Sequence, residues 1–308
     1  MLPIKLELPN GFLEGEMRDG YYVKPEMKKV WAVELDLLNE FMRVCNKHNL
    51  KWYADAGTIL GAVRHGGMIP WDDDIDVMMM RDQYDILCSI AAKEFNHPYF
   101  FQTEQTDPGC VRGHAQLRNS ETTGILKYEY PMKMLINQGI FLDIFPIDNM
   151  PDDDNLAQKQ ISNIHKYRKK TFDIMEFKER YVPAKKIYKR PLKYIKKELY
   201  NIYYKLVNEK YPDYYNKYEQ EAIKYNNQHT ERVAKLIMTP FKKRRIWKRS
   251  FFDNTVFLPF EMFSLPVPSG YVELLDCFYG NWREYVVGTS THGEVIFDTE
   301  KKYTEYLK

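Results

Sequence analysis

Two aspartates separated by one apolar residue, Asp74-Ile75-Asp76, close an acidic run that begins at Asp72. Successive side chains on a strand face opposite ways, so Asp74 and Asp76 share one face while Ile75 and Val77 point into a core. Carboxylates held this close repel, and burial beside apolar neighbours makes each harder to keep ionised. A divalent cation removes the conflict. An all-oxygen ligand set suits Mg²⁺ or Mn²⁺, and Mg²⁺ keeps several waters and completes its shell with substrate phosphates. A solvated acidic loop is the plainer alternative. Here the acids sit between Ile69-Pro70-Trp71 and the apolar run Val77 to Met80, which favours a strand edge. A calcium loop is excluded: Asp72, Asp74 and Asp76 match the first three ligand positions of an EF-hand, but Val77 and Gln83 stand where it needs Gly and Glu.

Upstream, Gly57-Thr58 opens a predicted helix over 59–64 that Gly66-Gly67 closes. A glycine there lets backbone approach a phosphate, and the helix N-terminus offers free N–H groups and a positive dipole end. Downstream, Asp143 stands alone inside Ile140-Phe141-Leu142 and Ile144-Phe145, a predicted buried strand. A charge there is unfavourable unless paired or bound to metal. A neighbouring Arg or backbone amides would satisfy it; the more economical reading makes it the third carboxylate of the site begun by Asp74 and Asp76. Arg118, at a predicted strand end before Asn119-Ser120 and Thr122-Thr123, is a candidate phosphate ligand, against the reading of a solvated Arg. His292, in a polar loop, is a candidate phosphate or metal contact, though a lone His in such a loop is more often neither. Asp152, Asp153 and Asp154 follow Pro151 and read as capping acids of a helix.

The elements that must hold these groups can be read from periodicity. Residues 1–24 read as irregular or a short hairpin, with turns at Asn10-Gly11 and Asp19-Gly20. Pro25 opens a helix whose Val30, Val33, Leu37, Phe41 and Val44 form an apolar stripe. A short strand is predicted over 51–56, a helix over 81–95 with Ile86, Leu87, Ile90 and Ala91 inward, and strands over 99–103 and 115–118. From Leu156 to Gln228 the chain turns helical, aromatic and basic. Lys185, Lys186, Lys189, Arg190, Lys193, Lys196 and Lys197 occur there with no acid between them, above a stripe of Leu192, Ile195, Leu199, Ile202 and Leu206. Such a helix suits a membrane surface or an anionic acceptor, although an ordinary solvated face is the commoner explanation; no nucleic-acid partner is expected. A last helix over 268–279 is predicted to turn Val272, Leu275, Cys277 and Phe278 inward and to stop at Gly280.

The chain has 308 residues, 44% hydrophobic and 29% charged, with a net charge of +2, so bulk charge points to no partner. Cys45, Cys88, Cys110 and Cys277 show no metal-ligand spacing and no disulfide framework. With no signal-peptide pattern and no stretch near the roughly 20 apolar residues of a membrane span, a cytoplasmic protein is expected, with any membrane contact peripheral, at the inner face.

The stretch GTILGAVRHGGMIPWDDDIDVMM resembles the signature of the LicD family, the phosphocholine transferases of bacterial surface glycans, related to fukutin. FLDIFPID and VPSGYVELLDCFYGNW resemble that family's later blocks, so the likeness covers about residues 25–150 and 265–300. It implies an α/β (α+β) nucleotidyltransferase-like fold, a mixed sheet with flanking helices, in which a Gly-Thr turn, an Asp-x-Asp and a third Asp build one metal site. Gly57-Thr58, Asp74, Asp76 and Asp143 match, with Thr in place of the more usual Ser. The implied organisation is a catalytic core over 1–150, a helical basic insertion over 151–262 and a C-terminal segment, 263–308, packing back on the core. The implied reaction moves a phospho-group from CDP-choline, or another CDP conjugate, to a sugar hydroxyl of a glycan or glycolipid acceptor, such as lipopolysaccharide, capsular polysaccharide or a teichoic acid precursor, releasing CMP. Asp74, Asp76 and Asp143 would hold one or two Mg²⁺, Gly57, Thr58, Arg118 and Arg64 the phosphates, and Asp143 or Asp76 would take the acceptor's proton. A true nucleotidyltransferase, a binding module without turnover and an Mn²⁺-dependent glycosyltransferase are the rivals.

Overall fold

The computed structural model describes residues 2–130, 134–179, 199, 202, 211–237, 245–288 and 293–307. Its strands are β1 (Glu16–Arg18), β2 (Tyr21–Val23), β3 (Tyr53–Ala54), β4 (Asp76–Met80), β5 (Tyr99–Gln102), β6 (Ala115–Asn119), β7 (Thr123–Leu126), β8 (Ile140–Met150), β9 (Arg232–Ala234), β10 (Ile246–Lys248), β11 (Thr255–Phe260), β12 (Phe263–Pro268) and β13 (Val295–Asp298). The helices used below are α1 (Pro25–Lys47), α2 (Ala56–Arg64), α3 (Arg81–Glu94), α4 (Asp154–Glu179), α5 (Tyr211–Ile223) and α6 (Tyr271–Tyr279).

The main sheet is mixed and grows outward from β8. Residues 143–147 of β8 pair parallel with β4, 140–144 pair antiparallel with β6, and 148–150 pair antiparallel with β9. β3 adds to β4, β5 to β6 and β10 to β9, all antiparallel. Eleven residues of one strand thus serve three partners, and a nearly unbroken apolar sequence lets both faces of β8 be covered. The architecture is the α+β, nucleotidyltransferase-like arrangement of mixed sheet and flanking helices expected from the sequence. α1 lies against the sheet, and all five residues of its expected stripe are buried.

The details depart from periodicity where a neighbour intervenes. α2 begins at Ala56 rather than at 59 because Asp55 caps it: its Oδ1 accepts from the Ala56 amide at 2.8 Å and its carbonyl from that of Ile59 at 3.1 Å. The buried face of α3 is Tyr84, Leu87 and Ala91, while Ile86 is exposed. α6 buries Leu274 and Leu275; Cys277, expected inward, is exposed. Of the three acids after Pro151, Asp153 caps α4 through the Leu156 amide at 2.8 Å, whereas Asp152 and Asp154 both pair with Arg232.

The expected helical insertion contributes more than helices, since β9 and β10 extend the main sheet and Lys235, just past β9, reaches into the core. The seven basic residues from Lys185 to Lys197 lie outside the described residues, and with them the expected membrane contact. No helix among the described residues is long and apolar enough to cross a membrane. At the other end of the chain, β13 pairs with β7, and the Tyr303 amide donates to Thr122 O at 3.1 Å.

One buried ion pair ties β8 to α3: Arg81 Nε and Nη2 donate to the two oxygens of the fully buried Asp148 at 2.7 and 2.9 Å, and Asn226 Nδ2 completes the contact at 2.8 Å. Removing one partner of such a pair leaves an uncompensated charge. Asp148→Ala is therefore expected to lower unfolding free energy by about 3–5 kcal/mol, read from urea denaturation; a loss under about 1 kcal/mol would place the pair with exposed ones instead.

Candidate active site

Asp76 is the first residue of β4, and its partner across the parallel ladder is Asp143 of β8. Partners in register point the same way from strands about 4.8 Å apart, close enough to share one ion or a bridged pair. Gln116 of β6 is the residue opposite Asp143 on its other side. The three side chains make a row across β4, β8 and β6, and the row is oriented from its far end. Arg118, which can only donate, gives Nη2 to Gln116 Oε1. The Gln116 amide must then face Asp143, and Nε2 donates to Asp143 Oδ1 at 2.5 Å. His114 Nε2 lies 3.2 Å from the same oxygen, its ring against Phe145 and its Nδ1 buried with no hydrogen-bond partner.

These neighbours separate two acids that would otherwise titrate alike. Burial pushes the Asp143 carboxyl up, but His114 and Gln116 outweigh it and hold it at about 2. Burial pushes Asp76 well above the ordinary carboxylate range, and Asp74, Asp143 and Asp55 add to the rise against the opposing Lys235. Asp72 is raised for the same reasons, by burial and then by Asp74 and Asp73. Behind them Glu34 of α1, 1% exposed and with Oε2 unpartnered, is raised by burial and by Asp74, Asp73, Asp72 and Asp76. Seven acids crowd one place.

The N-terminus of α2 sits over this crowd. Thr58 Oγ1 accepts from the Asp76 amide at 2.8 Å, and the Asp55 amide donates to Asp76 O at 3.0 Å, so the first turn of α2 and the start of β4 are fixed to each other. Lys235 pairs with Asp55 in full burial, its ammonium 4.4 Å from the centre of the Phe145 ring. Gly57 leaves room for the Asp72 carboxylate, since a Cβ there would meet Asp72 Oδ2 at 2.5 Å and displace that side chain. Ala56 takes φ +39°, a left-handed conformation rare outside glycine and typical of strained functional turns. In front lies a cleft of about 390 Å³, bounded by the start of α2, by Trp71, Asp72, Asp74 and Asp76, and by a wall that includes Tyr279, Trp282 and Glu284.

A family model described as LicD/FKTN/FKRP, nucleotidyltransferase domain, matches residues 49–188. The chain is 25% identical over 266 residues, 85% of its length and 92% of the relative's, to the lipopolysaccharide cholinephosphotransferase LicD of Haemophilus influenzae. Shorter likenesses, 44% over 46 residues, join it to uncharacterized proteins of Rickettsia prowazekii and Rickettsia typhi. The chain is similar to the LicD family along most of its length.

Against that background the positions singled out in the sequence sort as follows. Asp76 and Asp143 meet, and Asp74 is the neighbouring charge that acts most strongly on Asp76. Asp74 precedes β4 rather than lying on it. Among the described residues, Asp72, Asp73 and Asp74 are the group of three whose oxygens approach within 4.8 Å of one another, so the metal-ligating potential of this centre extends back along the loop. Gly57 lines the cleft, and Thr58 adjoins it in the first turn, where amides lack intrahelical partners. Arg64 also lines it, with Nη1 given to Trp282 O at 3.1 Å and Glu284 O at 3.0 Å.

Arg118 is a correction. It is 1% exposed, and its Nε, Nη1 and Nη2 go to Gln102, Gly139 O and Gln116, so it orients the acid row from inside and does not face a phosphate. His292 lies outside the described residues. Sequence reading missed Gln116, His114, Lys235, Glu34 and the aromatic wall. Only the i, i+2 spacing of His114, Gln116 and Arg118 beside a strand carried a signal.

The donor set fits a divalent cation: carboxylate oxygens alone, half-buried, with more negative charge than the protein neutralises. In metal-free protein the raised pKa values of Asp72, Asp76 and Glu34 mean that the fold retains protons the unfolded chain has released. Their stabilisation is complete below the unfolded carboxylate range, about 4, and is lost as pH rises through the raised folded values. In chelator, the melting temperature is expected to fall as pH rises from about 5 to about 8, less steeply in Asp76→Asn. An unchanged slope in that variant would remove Asp76 from the crowd.

Proposed function

We propose that the protein transfers a substituted phosphate, phosphocholine foremost, from CDP-choline to a sugar hydroxyl of a cell-surface glycan such as lipopolysaccharide, releasing CMP, with Mg²⁺ or Mn²⁺ at the acids. The observation that carries this reading is the in-register pair Asp76 and Asp143 beside the first turn of α2, in a chain that aligns along most of its length with a lipopolysaccharide cholinephosphotransferase.

The acceptor oxygen attacks the choline-bearing phosphorus as its proton passes to Asp76 or Asp143, the bond from that phosphorus to the bridging oxygen breaks, and CMP leaves with the bridging oxygen. A bound divalent cation would neutralise charge on the diphosphate and orient its oxygens. Asp76, Asp143 and Asp74 would hold it, with Asp72 and Asp73 within reach. Asp143 contributes a fixed negative charge, since Gln116 and His114 engage its Oδ1 and keep it ionised. The amides of Gly57 and Thr58 at the positive end of α2 would receive phosphate oxygens, a role that needs close backbone approach and no side chain. Arg64, on the cleft side of α2, adds a cation at its edge.

Incubation with CDP-choline, Mg²⁺ and a glycan acceptor is expected to release CMP. Asp76→Asn and Asp74→Asn should lower the rate at least about 100-fold while leaving the melting temperature at or above the parent value, because each removes mutually repelling charge. Consumption of CTP with pyrophosphate release, in place of CMP release from CDP-choline, would identify a nucleotidyltransferase. A large loss of stability in the variants would mark the acids as structural.

A further inference from the structure

The cleft's far wall has a chemistry that the acids do not explain. Tyr279, Trp282 and the acidic Glu284 line it, and Trp71, beside Asp72, lines the same cleft. The wall is held in place. Trp282 Nε1 donates to Asp276 Oδ1 at 2.8 Å, and Arg64 of α2 grips the main chain at Trp282 and Glu284. Its rings already attract cations: Arg283 lies 4.2 Å from the centre of the Trp282 ring, and Arg64 lies 5.8 Å from that of Trp71. Tyr279 is 43% exposed and lines the same cleft as Asp72, Asp74 and Asp76.

A group recognised here must therefore be adjacent to the transferred phosphate, tolerant of apolar faces and positively charged. A trimethylammonium meets all three conditions. It has no N–H to donate, so a protein can hold it only through aromatic faces and a nearby negative field. Glycerol or ribitol would need several hydrogen-bonding partners from the same surface. A cytosine base would stack on the rings but would gain nothing from the carboxylate.

We infer that Trp71, Tyr279, Trp282 and Glu284 form a head-group subsite for a quaternary ammonium, and that it decides which substituted phosphate the protein accepts. The inference rests on the transfer proposed above for the donor, but the subsite can be tested by binding alone.

Quenching of tryptophan fluorescence is titrated with phosphocholine, glycerol 3-phosphate and CMP in the presence of Mg²⁺. Phosphocholine is expected to bind saturably and at least ten-fold more tightly than glycerol 3-phosphate. Tyr279→Leu and Glu284→Gln, both at exposed positions, should each weaken phosphocholine at least five-fold and leave CMP within two-fold. Equal binding of the two phosphates overturns the inference, as does loss of CMP affinity in step with phosphocholine, which would assign the wall to the base. Phosphocholine selectivity without CMP release from CDP-choline would retain the subsite and remove the transfer reading. Equal CMP release from CDP-choline and CDP-glycerol would do the reverse.

Discussion

Mutual repulsion among carboxylates at the start of α2 is the constraint to which the rest of this structure responds. Asp72, Asp74, Asp76 and Asp143 converge there, with Asp55 and Glu34 close behind. Lys235 is the buried lysine that answers them, and it is already paired with Asp55. Left to itself, such a crowd would relax by moving apart. It does not, because the backbone under it is fixed by covalent and ladder geometry: Asp76 and Asp143 are register partners, and Thr58 and Asp55 grip the two polar groups of Asp76's own main chain. The remaining freedom is in protonation or in binding a cation.

That rigidity comes from packing some distance away. α1 buries Trp31, Leu37 and Phe41 against the sheet, and α3 is clamped to β8 by Arg81 and Asp148. Close contact between α2 and the Gly66–Gly67 turn adds to it, since a Cβ on Gly61 would fall 2.4 Å from Gly67 O. Charged groups held against their own repulsion by a stiff scaffold present a field that needs little rearrangement when charge develops in a reaction, which is where electrostatic catalysis gains most.

What the sequence shows of this, and what it conceals, follows from the range of each interaction. The stripe of α1, the alternation around Ile75 and the apolar frame of Asp143 are local, and all three are present. The partner of Asp143 is also inferable, because a charge inside IFLDIF requires one. The three-residue strands β9 and β10 are too short for a period to register, so their segment reads as helical until β8 recruits them. Tyr279 and Trp282 of the cleft's wall lie more than 200 residues from Asp72, and no pattern within either segment announces the meeting.

Arg118 shows why residue type alone misleads. An arginine beside asparagine, serine and threonines at a strand end looks like a phosphate clamp, and its donors would suit one. The fold buries it on the acids' own face of the sheet instead, where burial lowers its pKa to about 9 and Phe141 lies 4.9 Å from its guanidinium. There its inability to accept a hydrogen bond becomes the useful property: it leaves Gln116 one orientation, and Gln116 then leaves Asp143 one hydrogen-bonded state. A lysine could carry the charge but not the same forked geometry. The acids at the cleft are thus ordered by a residue that never reaches it, and the polarity of the row runs from Arg118 outward, against the direction in which the sequence suggests it.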